Sequence, residues 1–150
     1  MLILGIDPGP AQSAVVQYSA GKVCFSGIFP NEKLLNDLRM KFYGGEPFCE
    51  MIACYGMAVG KEVFETVLWI GRFMEAKGGL NLVYRRDIKL YLCNSMKAKD
   101  ANVAQALRDL HGPVGTKKTP GPLYGIKSHL WAALAVATYG EHLLNEKKAA

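Results

Sequence analysis

The chain has 150 residues, half of them hydrophobic and about a fifth charged, with a net charge of +5. That balance suits one domain with a proper core, with only residues 145–150 left over as a loose tail. It excludes a disordered or low-complexity chain, and no uninterrupted apolar run is long enough to predict a membrane span.

Residues 2–7 read Leu-Ile-Leu-Gly-Ile-Asp, a short apolar run that ends in a carboxylate. Such a run predicts a buried strand, and Pro8-Gly9 predicts an immediate reversal. Asp7 is then held at a strand end, where burial requires a partner such as a metal ion. A surface Asp opening a turn fits the same residues.

Residues 13–19 and 22–29 predict two more strands, joined closely by Ser19-Ala20-Gly21 and so antiparallel. Asn31 suits the N-cap of a helix over 31–42, with Leu34, Leu35 and Leu38 on one face. Residues 48–53 form a fourth apolar run, interrupted by Glu50. A Gly-containing loop with Tyr55 and Met57 follows, and 61–77 has helical spacing closed by Gly78-Gly79. Residues 81–84 predict a fifth strand, and Asp87 suits a cap for a short helix carrying Lys89. A helix over 100–110, for which Asp100 is a candidate cap, a Gly-, Pro- and Lys-rich loop over 112–124 and a long helix over 126–144 complete the chain. Counted without the short helix, the order β-β-β-α-β-α-β-α-α predicts an α/β fold: a mixed five-stranded sheet flanked by helices.

Cys24, Cys49, Cys54 and Cys93 lack C-x-x-C spacing. They predict reduced core thiols in a cytoplasmic protein rather than a zinc site. The start lacks a basic n-region and a cleavage site, so no signal peptide is expected.

Eight basic residues and three acidic ones fall between Arg85 and Lys118, so the whole positive excess lies in one stretch. Clustered charge of this kind predicts a polyanion site, although a solvated basic face would have the same composition. Glu50 sits where an unpaired carboxylate should not survive. If the first and fourth strands are neighbours, Asp7 and Glu50 meet at their ends as a hard-cation site for Mg²⁺ or Mn²⁺.

An ordered set of segments carries a resemblance. It comprises Gly5-Ile6-Asp7-Pro8-Gly9, the run with Glu50, Ile70-Gly71-Arg72, Arg86-Asp87-Ile88-Lys89 and Ala133-Leu134-Ala135-Val136-Ala137. In this order they resemble RuvC-type Holliday junction resolvases, and Tyr55-Gly56-Met57 with Pro120 to Gly125 resembles the phage-encoded members. The resemblance implies an RNase H-like fold and a homodimer that cuts four-way and other branched DNA with divalent metal ions. It would act in the cytoplasm, that of a bacterial host if phage-encoded. It also implies that Asp7, Glu50 and His129 are catalytic metal ligands, His129 taking the first position of the family's last-helix motif. Ala132 stands where many members carry an acid; Asp100 is a candidate additional acid, although helix capping explains it more simply.

Within that reading, Arg86, Lys89, Lys97, Lys99, Lys117 and Lys118 are candidate phosphate contacts, and Tyr55 could stack on an unpaired base. Packing on the next helix is the other reading of Tyr55. Trp69 and Phe73 offer a second face for dimerisation, or ordinary core. Two other function classes remain at this point. One is a non-catalytic DNA-binding module with a crippled metal site, favoured by Ala132. The other is an actin-like ATPase or sugar kinase, which also opens on a strand and an Asp-x-Gly turn but needs two such domains.

Overall fold

A computed structural model describes all of residues 1–150. Strands β1 (Leu2–Asp7), β2 (Gln12–Ser19) and β3 (Lys22–Pro30) form an antiparallel meander. Helix α1 (Asn31–Arg39) leads to β4 (Glu46–Met51), and α2 (Lys61–Lys77) leads to β5 (Asn81–Tyr84). Helices α3 (Arg85–Cys93), α4 (Asp100–His111) and α5 (Leu130–Ala149) follow. The sheet order is β3-β2-β1-β4-β5, with β4 parallel to both β1 and β5. The mixed five-stranded α/β sheet expected from the sequence is the one observed. No helix is long and apolar enough to cross a membrane.

Period-two alternation splits the core between the two faces of the sheet. Leu4, Ile6, Val15 and Cys49 pack with Leu34, Leu35, Leu38, Ile70 and Phe73 of α1 and α2. Ile3, Val16, Phe48 and Val83 pack with Ile88, Val103, Leu107 and the apolar residues of α5. By the same alternation, Asp7 and Glu50 fall on the α5 face, two residues beyond Gly5 and Phe48.

Small residues let α5 lie very close to that face. A Cβ on Gly5 would stand 2.4 Å from the Ala133 carbonyl oxygen, and one on Gly140 would stand 2.7 Å from the Phe48 ring. Ala133, Ala137 and Gly140 thus form the seam of contact at helical spacing. The seam fixes the start of α5 over the end of β1.

Several expectations are corrected. The fourth strand runs over 46–51 rather than 48–53, because its partners β1 and β5 end at Asp7 and Tyr84. The first helix stops at Arg39, and Pro30, not Asn31, precedes it. The short helix starts at Arg85, so Asp87 lies in its first turn instead of capping it. The cap of α4 is Lys99, whose backbone N–H donates to Asn102 Oδ1 at 2.9 Å; Asp100 is already inside the helix. The last helix begins at Leu130, after a break at Ser128 with φ 51°, and continues through the expected tail to Ala149. Only Cys49 is a fully buried thiol; Cys24 and Cys54 are exposed. Phe73 is buried and Trp69 packs on the same core, so the exposed apolar residues of α2 are Phe64 and Leu68 instead.

Candidate active site

Parallel pairing sets the site. Ile6 stands opposite Cys49, so the next positions along the two strands are Asp7 and Glu50. The two carboxylates are close enough for each to act on the titration of the other. Both side chains are about nine-tenths buried. Burial raises the pKa of each, because a charged carboxylate loses its hydration there. Glu50 is pushed up to about 7; nearby Arg85 pulls it back down, and the charge of Asp7 adds to the rise. For Asp7 the upward push of burial is opposed by His129 and Arg85.

His129 is the residue just before α5, and its Nδ1 lies 3.0 Å from Asp7 Oδ2. Its side chain is largely exposed, so it closes the solvent side of Asp7. The sequence-predicted trio of Asp7, Glu50 and His129 is therefore brought together. They line a cavity of about 660 Å³ whose wall also includes Arg85, Asp100 and Ala132. Ala132 sits on the first turn of α5 and contributes only a methyl group.

Two sets of residues escaped the sequence reading. Arg85 follows directly on β5, whose register places Val83 opposite Glu50. Its guanidinium reaches Glu50 at 3.6 Å and Asp100 at 3.4 Å. In the sequence it was one charge among eight, and only the parallel register reveals its partners. The other set is Ser13 and Asn31, both buried. Ser13 donates to Asn31 Oδ1 at 2.6 Å, the Asn31 amide donates to the Gly9 carbonyl at 2.8 Å, and the Gly9 N–H donates to Ser13 at 3.2 Å. This closed ring of bonds holds the turn after Asp7. No local signal predicts it, since its members lie 18 and 22 residues apart.

The basic residues divide by place. Arg86 and Lys89 line a second cavity of about 300 Å³ that shares Glu50 and Arg85 with the first. Tyr55 stands at its rim, exposed, with the Arg86 guanidinium 5.7 Å from its ring centre. Lys97 and Lys99 are exposed on the connection from α3 to α4. Lys117 and Lys118 cap a small closed loop held by Thr116 N–H to the Thr119 carbonyl at 3.0 Å and a Gly115–Pro120 bridge, and they line neither cavity.

No group of three or more His, Cys, Asp or Glu side chains converges closely enough to hold a metal ion. The donor chemistry nevertheless suits a hard cation. Mg²⁺ is commonly held by one or two carboxylates, completed by water and substrate phosphates, rather than by an all-protein cage. Two buried carboxylates side by side, both resisting ionisation, are such a pair.

No family model matches the chain, and no curated protein matches it. Among solved structures the fold is RuvC-like, of the RNase H-like kind. The Thermus thermophilus RuvC structure superposes with a TM-score of 0.67 at 19% identity, covering 91% of each chain. T. thermophilus RuvC in complex with Holliday junction substrate gives the same TM-score and identity, covering 91% of this chain and 90% of the other.

Proposed function

We propose that the protein is a metal-dependent endonuclease that binds and cuts Holliday junctions and other branched DNA. The observation that carries this reading is the Asp7–Glu50 pair, buried at adjacent strand ends beneath His129 and beside a basic stretch. The fold shared with RuvC supports it, one of the similar structures being a complex with a Holliday junction.

Asp7 and Glu50 would hold Mg²⁺ or Mn²⁺, which when bound activates water and stabilises the leaving 3′-oxygen. The Ser13–Asn31 ring keeps Asp7 in place, and His129 holds its Oδ2 from the solvent side. Arg86 and Lys89 take phosphates next to the cut, with Lys97, Lys99, Lys117 and Lys118 farther along the arms. Tyr55, exposed beside Arg86, stacks on an unpaired base at the branch. The work takes place in the cytoplasm, that of a bacterial host if the chain is phage-encoded. Ala132 favours a second reading, a branch-selective DNA-binding module of the same fold without catalysis, because the cavity wall offers a methyl where an acid would bind metal.

Electrostatics tests the DNA partner. With roughly five to eight phosphate contacts per protomer, log K should fall against log salt with a slope of about −4 to −7 on duplex arms. Titration of a labelled junction at several salt concentrations reads this directly. A slope near zero removes the nucleic-acid reading, and equal affinity for junction and linear duplex reduces it to general DNA binding.

Symmetric cutting requires two active sites, and the homodimer is part of the proposal. Phe64 and Leu68 are each 65% exposed, four residues apart on α2, opposite its buried Thr66, Ile70 and Phe73. Replacing both with Glu should convert a dimer to a monomer in light scattering after gel filtration, with little loss of melting temperature. A wild type that is monomeric at micromolar concentration, or a double variant that stays dimeric, refutes this interface.

A further inference from the structure

Arg85 reaches two carboxylates at once, and both line the same cavity: Glu50 at 3.6 Å through Nε and Asp100 at 3.4 Å through Nη2. Asp100 does no capping work, since Asn102 closes the start of α4. Its carboxylate, 76% exposed, pairs with Arg85 instead. The Arg85 side chain is 49% exposed, so about half of it already faces solvent. Its backbone, by contrast, opens α3 directly after β5, two residues beyond Val83, which stands opposite Glu50.

We infer that Arg85 is the resident cation of this site: it neutralises Glu50 while anchored by Asp100, and it must give up Glu50 when a divalent ion binds. The inference rests on the metal-dependent reading above. A guanidinium is permanently charged and matches carboxylates in pairs, so it holds such a position without titrating. Without a cation beside it, a buried carboxylate is strongly unfavourable. The same charge that protects the empty site therefore opposes loading. Metal affinity is set by the difference between two cations rather than by the carboxylates alone, and Asp100 acts on it from outside the ligand set. Arg85 is then a positioning residue that tunes occupancy, with its charge as the decisive property.

The test is Mn²⁺ binding to the whole protein without DNA, followed by calorimetry and by the rise in melting temperature up to millimolar Mn²⁺. Arg85→Gln and Arg85→Met, which remove the charge, should bind Mn²⁺ about five- to tenfold more tightly than wild type. Arg85→Lys, which keeps it, should stay within about twofold. Neutral variants that fold only when Mn²⁺ is added give the same conclusion, because a cation is then obligatory. Neutral variants that bind no more tightly, or that Mn²⁺ leaves unfolded, overturn the inference while the metal reading stands. A wild type that takes up no Mn²⁺ at all refutes the metal reading and the inference with it.

Discussion

Asp7→Asn and Glu50→Gln should each reduce junction cleavage by about 10³-fold or more, while junction affinity stays within about threefold of wild type. The two side chains sit on one sheet face at neighbouring strand ends, and each shifts the titration of the other. They form one unit, and loss of either leaves a single carboxylate that holds a hard cation poorly. The double variant should therefore be no slower than the worse single one, since groups that act together are not additive. Binding depends instead on the basic residues outside the pair, and removing a negative charge near DNA does not weaken it. Single-turnover cleavage and filter binding on the same proteins separate the two effects. Either single variant cutting at the wild-type rate would remove the pair from the reaction.

Glu50→Gln should also make the metal-free protein more stable at pH 8. Burial raises the folded-state pKa of Glu50 from 4.5 to about 7. A raised carboxylate pKa contributes stability that is full below pH 4.5 and disappears as pH rises through about 7. At pH 8 the wild type carries the cost of an ionised buried carboxylate, and Gln does not. The gain is roughly 1–3 kcal/mol, or about 3–8 °C in melting temperature for a chain of this size. Wild-type stability should fall between pH 5 and 8, whereas that of the variant should change much less, with Asp7 alone titrating in the pair. Mn²⁺ should recover the wild-type loss at pH 8 and do little for Glu50→Gln. A variant no more stable than wild type at pH 8 would mean that Arg85 already offsets the charge in full.

Much of the fold was legible because strands and helices announce themselves locally. The apolar run ending at Asp7, the close β2–β3 connection and the periodicity of α2 are all found where the residues predict them. The errors in the sheet share one cause, which is that partners decide where strands end. Ile52 and Ala53 continue an apolar run that reads as strand, yet neither neighbouring strand extends to meet them. Glu46 and Pro47 look like loop, yet they pair with Ile3 and Leu4 because β1 is already there. The start of α5 was misplaced because Ser128 takes a left-handed conformation without glycine or proline to mark it.

The candidate site shows the same division. Asp7 and Glu50 stood out as carboxylates in apolar runs, and their meeting followed once β1 and β4 proved to be neighbours. His129 came from resemblance, and its contact with Asp7 spans 122 residues of sequence. Arg85, Ser13 and Asn31 left no signal of their own. Their partners are set by strand register and turn closure, which neither composition nor periodicity encodes. Asn31 was read as a cap because capping is what asparagine usually does before a helix. Here the tertiary bond to Gly9 takes its side chain.

The most direct measurement incubates the wild-type protein with a synthetic four-way junction, with and without Mg²⁺ or Mn²⁺, and resolves the strands on a denaturing gel. The account predicts paired cuts in opposing strands near the branch, dependent on the metal and absent from a linear duplex of the same sequence. A junction that is bound but left intact with both metals would contradict it and leave a branch-binding protein without catalysis.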